Sequence, residues 1–307
     1  MIKIALLFPG QGAQKVGMGK DFYERSPEAR AIFDQADQIL GNGLTDVIFS
    51  GPLEKLMSTA YCQPAIFTMS MAVLKVFSIH PIYQKIIPQF AAGLSLGEYS
   101  ALAAGQALSF ADALQLVSRR SSLMEEATRA QAGKMAAIIG LDKNKIVEIC
   151  HKTGAEIANY NSPQQIVITG HAKKVEEACL LCKSSGAKSV IPLDVSGAFH
   201  SSLMAAAAEK FEKDLKNIPI QISIIPIVSN VNGKSAQNPD EIRNNLARQI
   251  TSSVQWVDSI LHIAGQGVKN FLEIGPGTVL KGLIRRIDPS LNVQNIETVE
   301  DLAALKF

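Results

Sequence analysis

A serine between two glycines is the first candidate for chemistry in this sequence. Ser95 lies in FAAGLSLGEYSALAAG, residues 90–105, where an apolar run precedes it and an alanine-rich run follows. A strand that turns through G-x-S-x-G into a helix exposes the serine hydroxyl beside the free N–H groups of the helix. Those groups stabilise negative charge on a carbonyl oxygen. The segment predicts a nucleophilic serine, although the five-residue pattern also occurs by chance at ordinary strand-to-helix turns.

A serine hydroxyl needs a base, and the sequence holds five histidines. Four of them lie at positions that need no catalytic role. His80 lies in a connector, His151 and His171 lie at the ends of predicted helices, and His262 lies inside a predicted helix. His200, in DVSGAFHSSLM, instead follows a predicted strand and a glycine, among small residues that leave room for a substrate. We therefore expect His200 to be the base.

An arginine stands on the apolar side of a predicted helix over residues 109–130. Arg119 falls on the polar face, whereas Arg120 comes three residues after Val117 and four before Met124, in the apolar stripe. A buried guanidinium stays charged and needs an anionic or hydrogen-bonding partner. Two interpretations remain open: a partner within the protein or at its edge, or a substrate carboxylate held by two hydrogen bonds.

The elements that position these residues alternate between strands and helices, which predicts an α/β fold with a mostly parallel sheet. The strand-like segments are residues 4–8, 89–93, 224–230 and 270–275. Between them, the order strand (134–141), helix (142–154), two strands (155–170), helix (172–186) and strand (188–196) is the β-α-β-β-α-β order of ferredoxin-like folds. We expect a small domain, residues 129–198, inserted into a large domain of residues 1–128 and 199–307.

The composition excludes several classes of function. The 307 residues are 47% apolar, and 30 basic residues nearly balance 28 acidic ones, so no broad nucleic-acid or membrane surface is expected. The first apolar run is too short for a signal peptide, and no uninterrupted apolar run approaches a membrane span. Cys179 and Cys182 form one C-x-x-C within a predicted helix, for which neither a metal nor a redox role is expected. A cytoplasmic monomer is the expectation, with the plastid stroma as the alternative location.

The whole chain resembles the malonyl-CoA:acyl carrier protein transacylases of fatty-acid synthesis and their polyketide relatives. The matching segments are FPGQGAQ (8–14), QPA (63–65), GLSLGEYSALAAG (93–105), LVSRRSSLM (116–124), MAAIIGL (135–141), NSPQQIVITG (161–170), GAFHSSLM (197–204), SNVNG (229–233), RQITSSVQW (248–256) and EIGPGTVLKGLIRRI (273–287). The resemblance implies an α/β-hydrolase-like core with a ferredoxin-like insertion.

The resemblance also implies a reaction in two halves. Malonyl-CoA would acylate Ser95, and the phosphopantetheine thiol of holo-acyl carrier protein would then take the malonyl group. His200 would move the protons, and the backbone N–H groups of Gln11 and Leu96 would form the oxyanion hole. Gln249 would orient His200. No metal or redox cofactor is implied.

Further positions are implied to contact the substrate. Arg120 would hold the malonyl carboxylate, and Phe199, in GAFH, would favour malonyl over methylmalonyl. Met135 and Asn161 would line the acyl site. Where the usual family motif is G-H-S-L-G, this chain has Leu94, and its side chain is expected to point away from the reacting oxygen.

Three alternatives remain open at this point. The first is an acyltransferase that serves a polyketide pathway, and the second is an acyl-thioester or ester hydrolase on the same scaffold. The third is a phosphate-binding protein, suggested by PGQGAQKVGMG and GPGTVLKG, although neither matches a phosphate-binding consensus. If the partner is an acidic carrier, the basic residues Lys281, Arg285 and Arg286 are candidates for its docking site.

Overall fold

The computed structural model describes residues Met1–Phe307 as a mixed α/β protein. Its strands are β1 (Ile2–Phe8), β2 (Ile86–Gly93), β3 (Gly133–Ile139), β4 (Glu156–Ser162), β5 (Gln165–His171), β6 (Ser189–Pro192), β7 (Ile227–Val228), β8 (Ser235–Ala236), β9 (Asn270–Ile274) and β10 (Asn292–Ile296). Its helices are α1 (Lys20–Arg25), α2 (Pro27–Leu40), α3 (Leu44–Ser50), α4 (Leu53–Met57), α5 (Thr59–Ile79), α6 (Gly97–Ala104), α7 (Phe110–Ala130), α8 (Lys143–Thr153), α9 (Ala172–Ser184), α10 (Ala205–Lys216), α11 (Pro239–Gln249), α12 (Trp256–Gly265), α13 (Val279–Ile287) and α14 (Val299–Ala304).

The larger sheet has six strands in the order β10-β9-β1-β2-β7-β8. Every neighbouring pair is parallel except β7 and β8, so the predicted, mostly parallel α/β sheet is confirmed. Residues 224–230 were expected to form a strand, but only Ile227–Val228 does. Pro226 interrupts the segment because it has no N–H to donate. The edge strand β10 was not predicted, since polar residues alternate along it.

The smaller sheet has four antiparallel strands in the order β4-β5-β3-β6, with α8 and α9 between its strands in sequence. The predicted β-α-β-β-α-β order is therefore confirmed. One face carries its own apolar core, which includes Ile138 and Ile168. The opposite face contributes Met135, Ala137 and Val167 to the main core of the molecule. Both faces of this sheet are consequently covered, and the second face lies toward the large sheet.

One helix is long and apolar enough to span a membrane by length and composition alone. It is α5, of 21 residues, and 72% of its most apolar window is buried inside the protein. The helix contains no long uninterrupted apolar run, because Gln63, Thr68 and Ser70 lie among its apolar residues. These polar side chains are themselves buried, so the helix is a core element of the fold.

Candidate active site

The turn that carries Ser95 connects β2 to α6, as the sequence predicted. Ser95 has φ +52°, in the left-handed region that is costly for a residue with a side chain. A Cβ at Gly93 would overlap the backbone of Gly97, and a Cβ at Gly97 would overlap the carbonyl of Phe8. Both glycines are required because the strand, the turn and the helix approach one another at backbone contact.

Asn230, two residues beyond the end of the neighbouring strand β7, stabilises this turn. Its Oδ1 accepts a hydrogen bond from the N–H of Ser95 at 2.6 Å, and its Nδ2 donates to the carbonyl of Gly93 at 2.7 Å. The sequence analysis did not single out Asn230. The signal was available, because polar residues just beyond the carboxyl ends of parallel strands converge at one edge of the sheet.

Ser95 and His200, which are 105 positions apart, are in direct contact: Ser95 Oγ lies 2.8 Å from His200 Nε2. The other ring nitrogen, Nδ1, lies 2.9 Å from the carbonyl oxygen of Gln249 and 3.1 Å from that of Ser252. Carbonyl oxygens only accept, so Nδ1 carries the ring proton and Nε2 is left to accept the serine proton. The geometry is that of a serine with its general base.

The environment of His200 keeps its ring neutral. Burial of the imidazole, followed by the positive charge of Arg120, lowers the pKa of His200 to about 4. A base must be unprotonated to accept a proton, so a lowered pKa leaves His200 ready over the whole neutral range.

Gln249 contacts His200 as predicted, but through its backbone carbonyl rather than its side chain. The side-chain Nε2 donates to the carbonyl of Ser95 at 3.0 Å and to Glu98 Oε2 at 2.7 Å. The side-chain Oε1 accepts from Arg120 Nη2 at 3.2 Å. Sequence reasoning also missed Glu98, a buried carboxylate in the first turn of α6.

Arg120 lies on the apolar side of α7, as predicted, and it is completely buried, so its side chain does not extend to the edge of the protein. Its Nη1 donates to Gln63 Oε1 at 2.6 Å and its Nη2 to Ser95 Oγ at 2.9 Å. The guanidinium carbon stands 5.7 Å from the ring centroid of Tyr99. Arg120 takes part in none of the ion pairs of the protein. A buried cation therefore touches the serine hydroxyl without a carboxylate in contact to neutralise it.

The loop after β1 and the serine turn each add one candidate donor. The backbone N–H groups of Gln11 and Leu96 have no backbone acceptor, and both residues line the cleft in front of Ser95. A Cβ at Gly10 would overlap the carbonyl oxygen of Leu94. This close approach packs the loop after β1 directly against the serine turn.

The cleft has a volume of about 280 Å³ and lies between the serine turn and the small sheet. Ser95 and His200 line it, and so do three of the predicted substrate contacts: Met135, Asn161 and Phe199. The side-chain oxygen of Asn161 is buried without a hydrogen-bond partner. Arg120 and Gln249 stand behind the serine, outside the lining. Leu94 lines the cleft and also packs against the second core cluster, which contains Trp256 and Leu280.

The remaining candidates lie elsewhere. His151 and His171 are exposed at the ends of α8 and α9, as predicted. No group of three or more His, Cys, Asp and Glu side chains is arranged to hold a metal ion. Lys281 and Arg286, on α13, hydrogen-bond Asn295 and Gln165, and neither basic residue lines the cleft.

Comparisons with known proteins identify the family of this chain. The sequence model of the acyl transferase domain matches residues 5–304. The chain is 45% identical to malonyl CoA-acyl carrier protein transacylase of Bacillus subtilis (strain 168), over 98% of this chain and 96% of that protein. It also resembles the solved acyl-carrier-protein-S-malonyltransferase of Bartonella henselae, with 39% identity, a TM-score of 0.94 and coverage of 99% of this chain and 98% of that one. A malonyl-transacylase solved in complex with its type II PKS acyl-carrier protein matches with 38% identity, a TM-score of 0.94 and 98% coverage of both chains. The chain thus belongs to the malonyl CoA-acyl carrier protein transacylases, within the acyl transferase family.

Proposed function

We propose that this acyltransferase moves a malonyl group from malonyl-CoA to the phosphopantetheine thiol of a holo-acyl carrier protein through a malonyl ester on Ser95. One observation carries the choice of substrate. Arg120 places a buried positive charge on the serine hydroxyl and has no carboxylate partner of its own. The free carboxylate of a malonyl group supplies the missing negative charge, with the bidentate geometry that arginine favours.

In the first half-reaction, His200 Nε2 takes the hydroxyl proton while Ser95 Oγ attacks the thioester carbon. The carbonyl oxygen becomes negative, and the N–H groups of Gln11 and Leu96 stabilise it. The C–S bond then breaks with its electron pair on sulfur, and the imidazolium returns the proton to the departing CoA thiolate. Gln249 and Ser252 hold the ring through their carbonyl oxygens, and these stabilise the transient imidazolium.

In the second half-reaction, the thiol of the carrier gives its proton to His200, and the thiolate attacks the ester carbon. The C–O bond breaks with its electron pair on Ser95 Oγ, which takes the proton back. The same oxyanion donors serve both halves because both pass through a tetrahedral oxyanion at one position. No metal or redox cofactor enters either half-reaction.

The cleft residues account for selection of the acyl group. We assign Phe199 to the α-carbon of malonate, where its ring crowds a methyl branch, at a discrimination of about 1–3 kcal/mol. Met135 and Asn161 would complete the acyl site, and the unpartnered Asn161 oxygen can accept a hydrogen bond from substrate.

In this proposal, residues 129–198 form the small domain that covers the cleft. The protein acts as a monomer, and its location is the cytoplasm. The basic residues of α13, Lys281, Arg285 and Arg286, remain our candidates for carrier docking.

The test is the mass of the intact protein after mixing with malonyl-CoA. We expect a malonyl adduct on the wild-type chain and none on Ser95→Ala. Holo-carriers of fatty-acid and of type II polyketide synthesis are then added separately, because one solved relative binds a polyketide carrier. Discharge of the adduct onto either carrier supports transfer and names the pathway. Malonate release without carrier loading indicates a hydrolase, and an unmodified wild-type chain contradicts the proposal.

A further inference from the structure

Glu98 is a buried carboxylate that the reaction itself does not use. Only 3% of its surface is exposed, and its Oε2 accepts hydrogen bonds from Gln249 Nε2 at 2.7 Å and from the backbone N–H of Asn230 at 3.1 Å. Burial raises the pKa of Glu98, while these donors and the charge of Arg120 lower it. Because Oε2 receives two N–H donors, it acts as an acceptor in either protonation state of the carboxyl group.

The Gln249 side chain connects Glu98 to Arg120. Its Nε2 donates to two acceptors, Glu98 Oε2 and the carbonyl of Ser95, and its Oε1 faces Arg120 Nη2. A guanidinium only donates and a carbonyl only accepts. A flipped amide would therefore put two donors face to face at Arg120, and acceptors face to face at Glu98 and Ser95. The surroundings permit one orientation of the amide.

That orientation matters for Arg120 because few groups hold its guanidinium. Nη2 is shared between Ser95 Oγ and Gln249 Oε1, and Nε has no hydrogen-bond partner. When a substrate carboxylate competes with the Ser95 contact, Gln249 Oε1 and Gln63 Oε1 are the protein acceptors that keep the guanidinium in place.

We propose that Glu98 is a positioning residue: it fixes the Gln249 amide so that the amide oxygen holds Arg120 at Ser95, and it thereby sets the preference for acyl groups that carry a carboxylate. This inference rests on the proposed function, since it concerns how Arg120 selects its substrate. Glu98 touches neither the substrate nor the serine hydroxyl, so its effect passes through Gln249.

The experiment compares acylation of Ser95 by malonyl-CoA and by acetyl-CoA in Glu98→Gln. A glutamine side chain fills the same volume but replaces the carboxylate acceptor of Gln249 Nε2 with a weaker amide acceptor, so the Gln249 amide is held less firmly, by Arg120 and the Ser95 carbonyl alone. We expect the ratio of kcat/KM for malonyl-CoA over acetyl-CoA to fall by at least about tenfold, mainly through the KM for malonyl-CoA. The reason is that the buried hydrogen bond between Gln249 Oε1 and the charged guanidinium of Arg120 is weakened. When Glu98→Gln is added to Arg120→Ala, the ratio of the double variant should stay within about twofold of that of Arg120→Ala alone. Both changes act on the same contact, that between Arg120 and the substrate carboxylate.

Glu273→Gln is the matched control. Glu273 is also fully buried, but it accepts from the backbone N–H groups of Leu280 and Lys281 and contacts no residue of the site. Its replacement should leave the ratio unchanged. If thermal unfolding shows that Glu98→Gln does not fold, Gln249→Met removes the whole connection between Glu98 and Arg120, and a fall in the ratio at least as large is expected.

Three results overturn the inference: an unchanged ratio in the folded variant, equal losses for both acyl groups, or losses that add in the Arg120→Ala background. Each of these requires a wild-type chain that transfers malonyl. A wild type without malonyl transfer would instead contradict the proposed function, so the two failures are distinguishable.

Discussion

Two residues of the site, Ser95 and His200, hold left-handed backbone conformations, with φ +52° and +58°. Each such conformation costs on the order of 1–3 kcal/mol outside glycine, and it persists only where the surroundings determine it. Here Asn230 holds the backbone at Ser95, and two carbonyl oxygens hold the ring of His200. At the scale of single residues, the contacts around Ser95 and His200 offset the strain and keep the hydroxyl and the imidazole aligned, as the proposed reaction requires.

The lowered pKa of His200 predicts the pH dependence of acylation. The base is active when neutral, so kcat/KM should stay flat as the pH falls from 8 to about 5 and decline only as it passes the folded-state pKa of about 4. In Arg120→Ala, loss of the nearby cation raises the pKa of His200, and the acid limb should move to higher pH. The measurement is the acylation rate of Ser95 with acetyl-CoA between pH 3.5 and 8. A wild-type limb centred near the ordinary histidine value of 6.5 would contradict this prediction.

At the scale of elements, the serine turn depends on backbone contact between β1, β2 and α6. Gly97→Ala places a methyl group against the carbonyl of Phe8 in β1, and neither strand nor helix can move without disturbing the sheet. We expect a loss of about 3 kcal/mol in the free energy of unfolding. The control is Gly282→Ala in α13, where no atom lies within 4 Å of the added carbon and a gain of about 0.5–1 kcal/mol is expected. Urea unfolding measures the change in unfolding free energy of each variant. Equal changes for Gly97→Ala and Gly282→Ala would contradict the close contact at Gly97.

The junction of β9 and α13 depends on Glu273, which accepts from the N–H groups of Leu280 and Lys281 at 3.0 and 2.8 Å. Burial raises the pKa of Glu273 to about 7. Between the ordinary carboxyl pKa and this value, the folded state binds more protons than the unfolded state, so this group's contribution to stability falls as pH rises. The difference in unfolding free energy between wild type and Glu273→Gln should therefore shrink from pH 5 to pH 8. Parallel curves for the two proteins would show that the group does not titrate in this range.

At the scale of the whole molecule, the cleft exists because the small sheet is joined to the large unit along one edge. The Tyr160 N–H donates to the Val254 carbonyl at 2.9 Å, and the Val254 N–H donates to the Ala158 carbonyl at 2.8 Å. These bonds extend the edge strand β4, and the face of the sheet toward the cleft shares the main core. The cleft is consequently held in shape before substrate arrives.

This shared core predicts that the two parts of the chain unfold together. Calorimetry of the full chain should show one cooperative transition, because separating the parts exposes the apolar face that includes Met135 and Val167. Residues 129–198 expressed alone expose that face and the β4 edge, so they should aggregate or stay loosely folded. Two separate transitions, or a monomeric fragment with a well-dispersed NMR spectrum, would disprove this prediction.

Much of the fold was predictable because its signals are local. Alternating strand-like and helical runs located the central strands of the large sheet and the elements of the small sheet, and G-x-S-x-G between a strand and a helix located the turn. The position of Arg120 on the apolar side of its helix was also predictable from the neighbouring residues alone, because helical spacing places it with Val117 and Met124. The edge strands β8 and β10 were not predicted, and β7 is shorter than the expected strand over residues 224–230, because pairing partners, rather than their own residues, define these short strands.

The sequence by itself thus determined which residues are candidates for the chemistry: Ser95 in its turn, His200 as the histidine without an ordinary explanation, and Arg120 as a cation on the apolar side of its helix. Only the tertiary structure decided how they act together. It showed that Gln249 supports His200 through its backbone carbonyl, that Asn230 braces the turn, and that Glu98 faces the Gln249 amide. The physical reason is that hydrogen bonds depend on atoms a few ångströms apart in space, and the fold brings these atoms together across more than a hundred residues of chain.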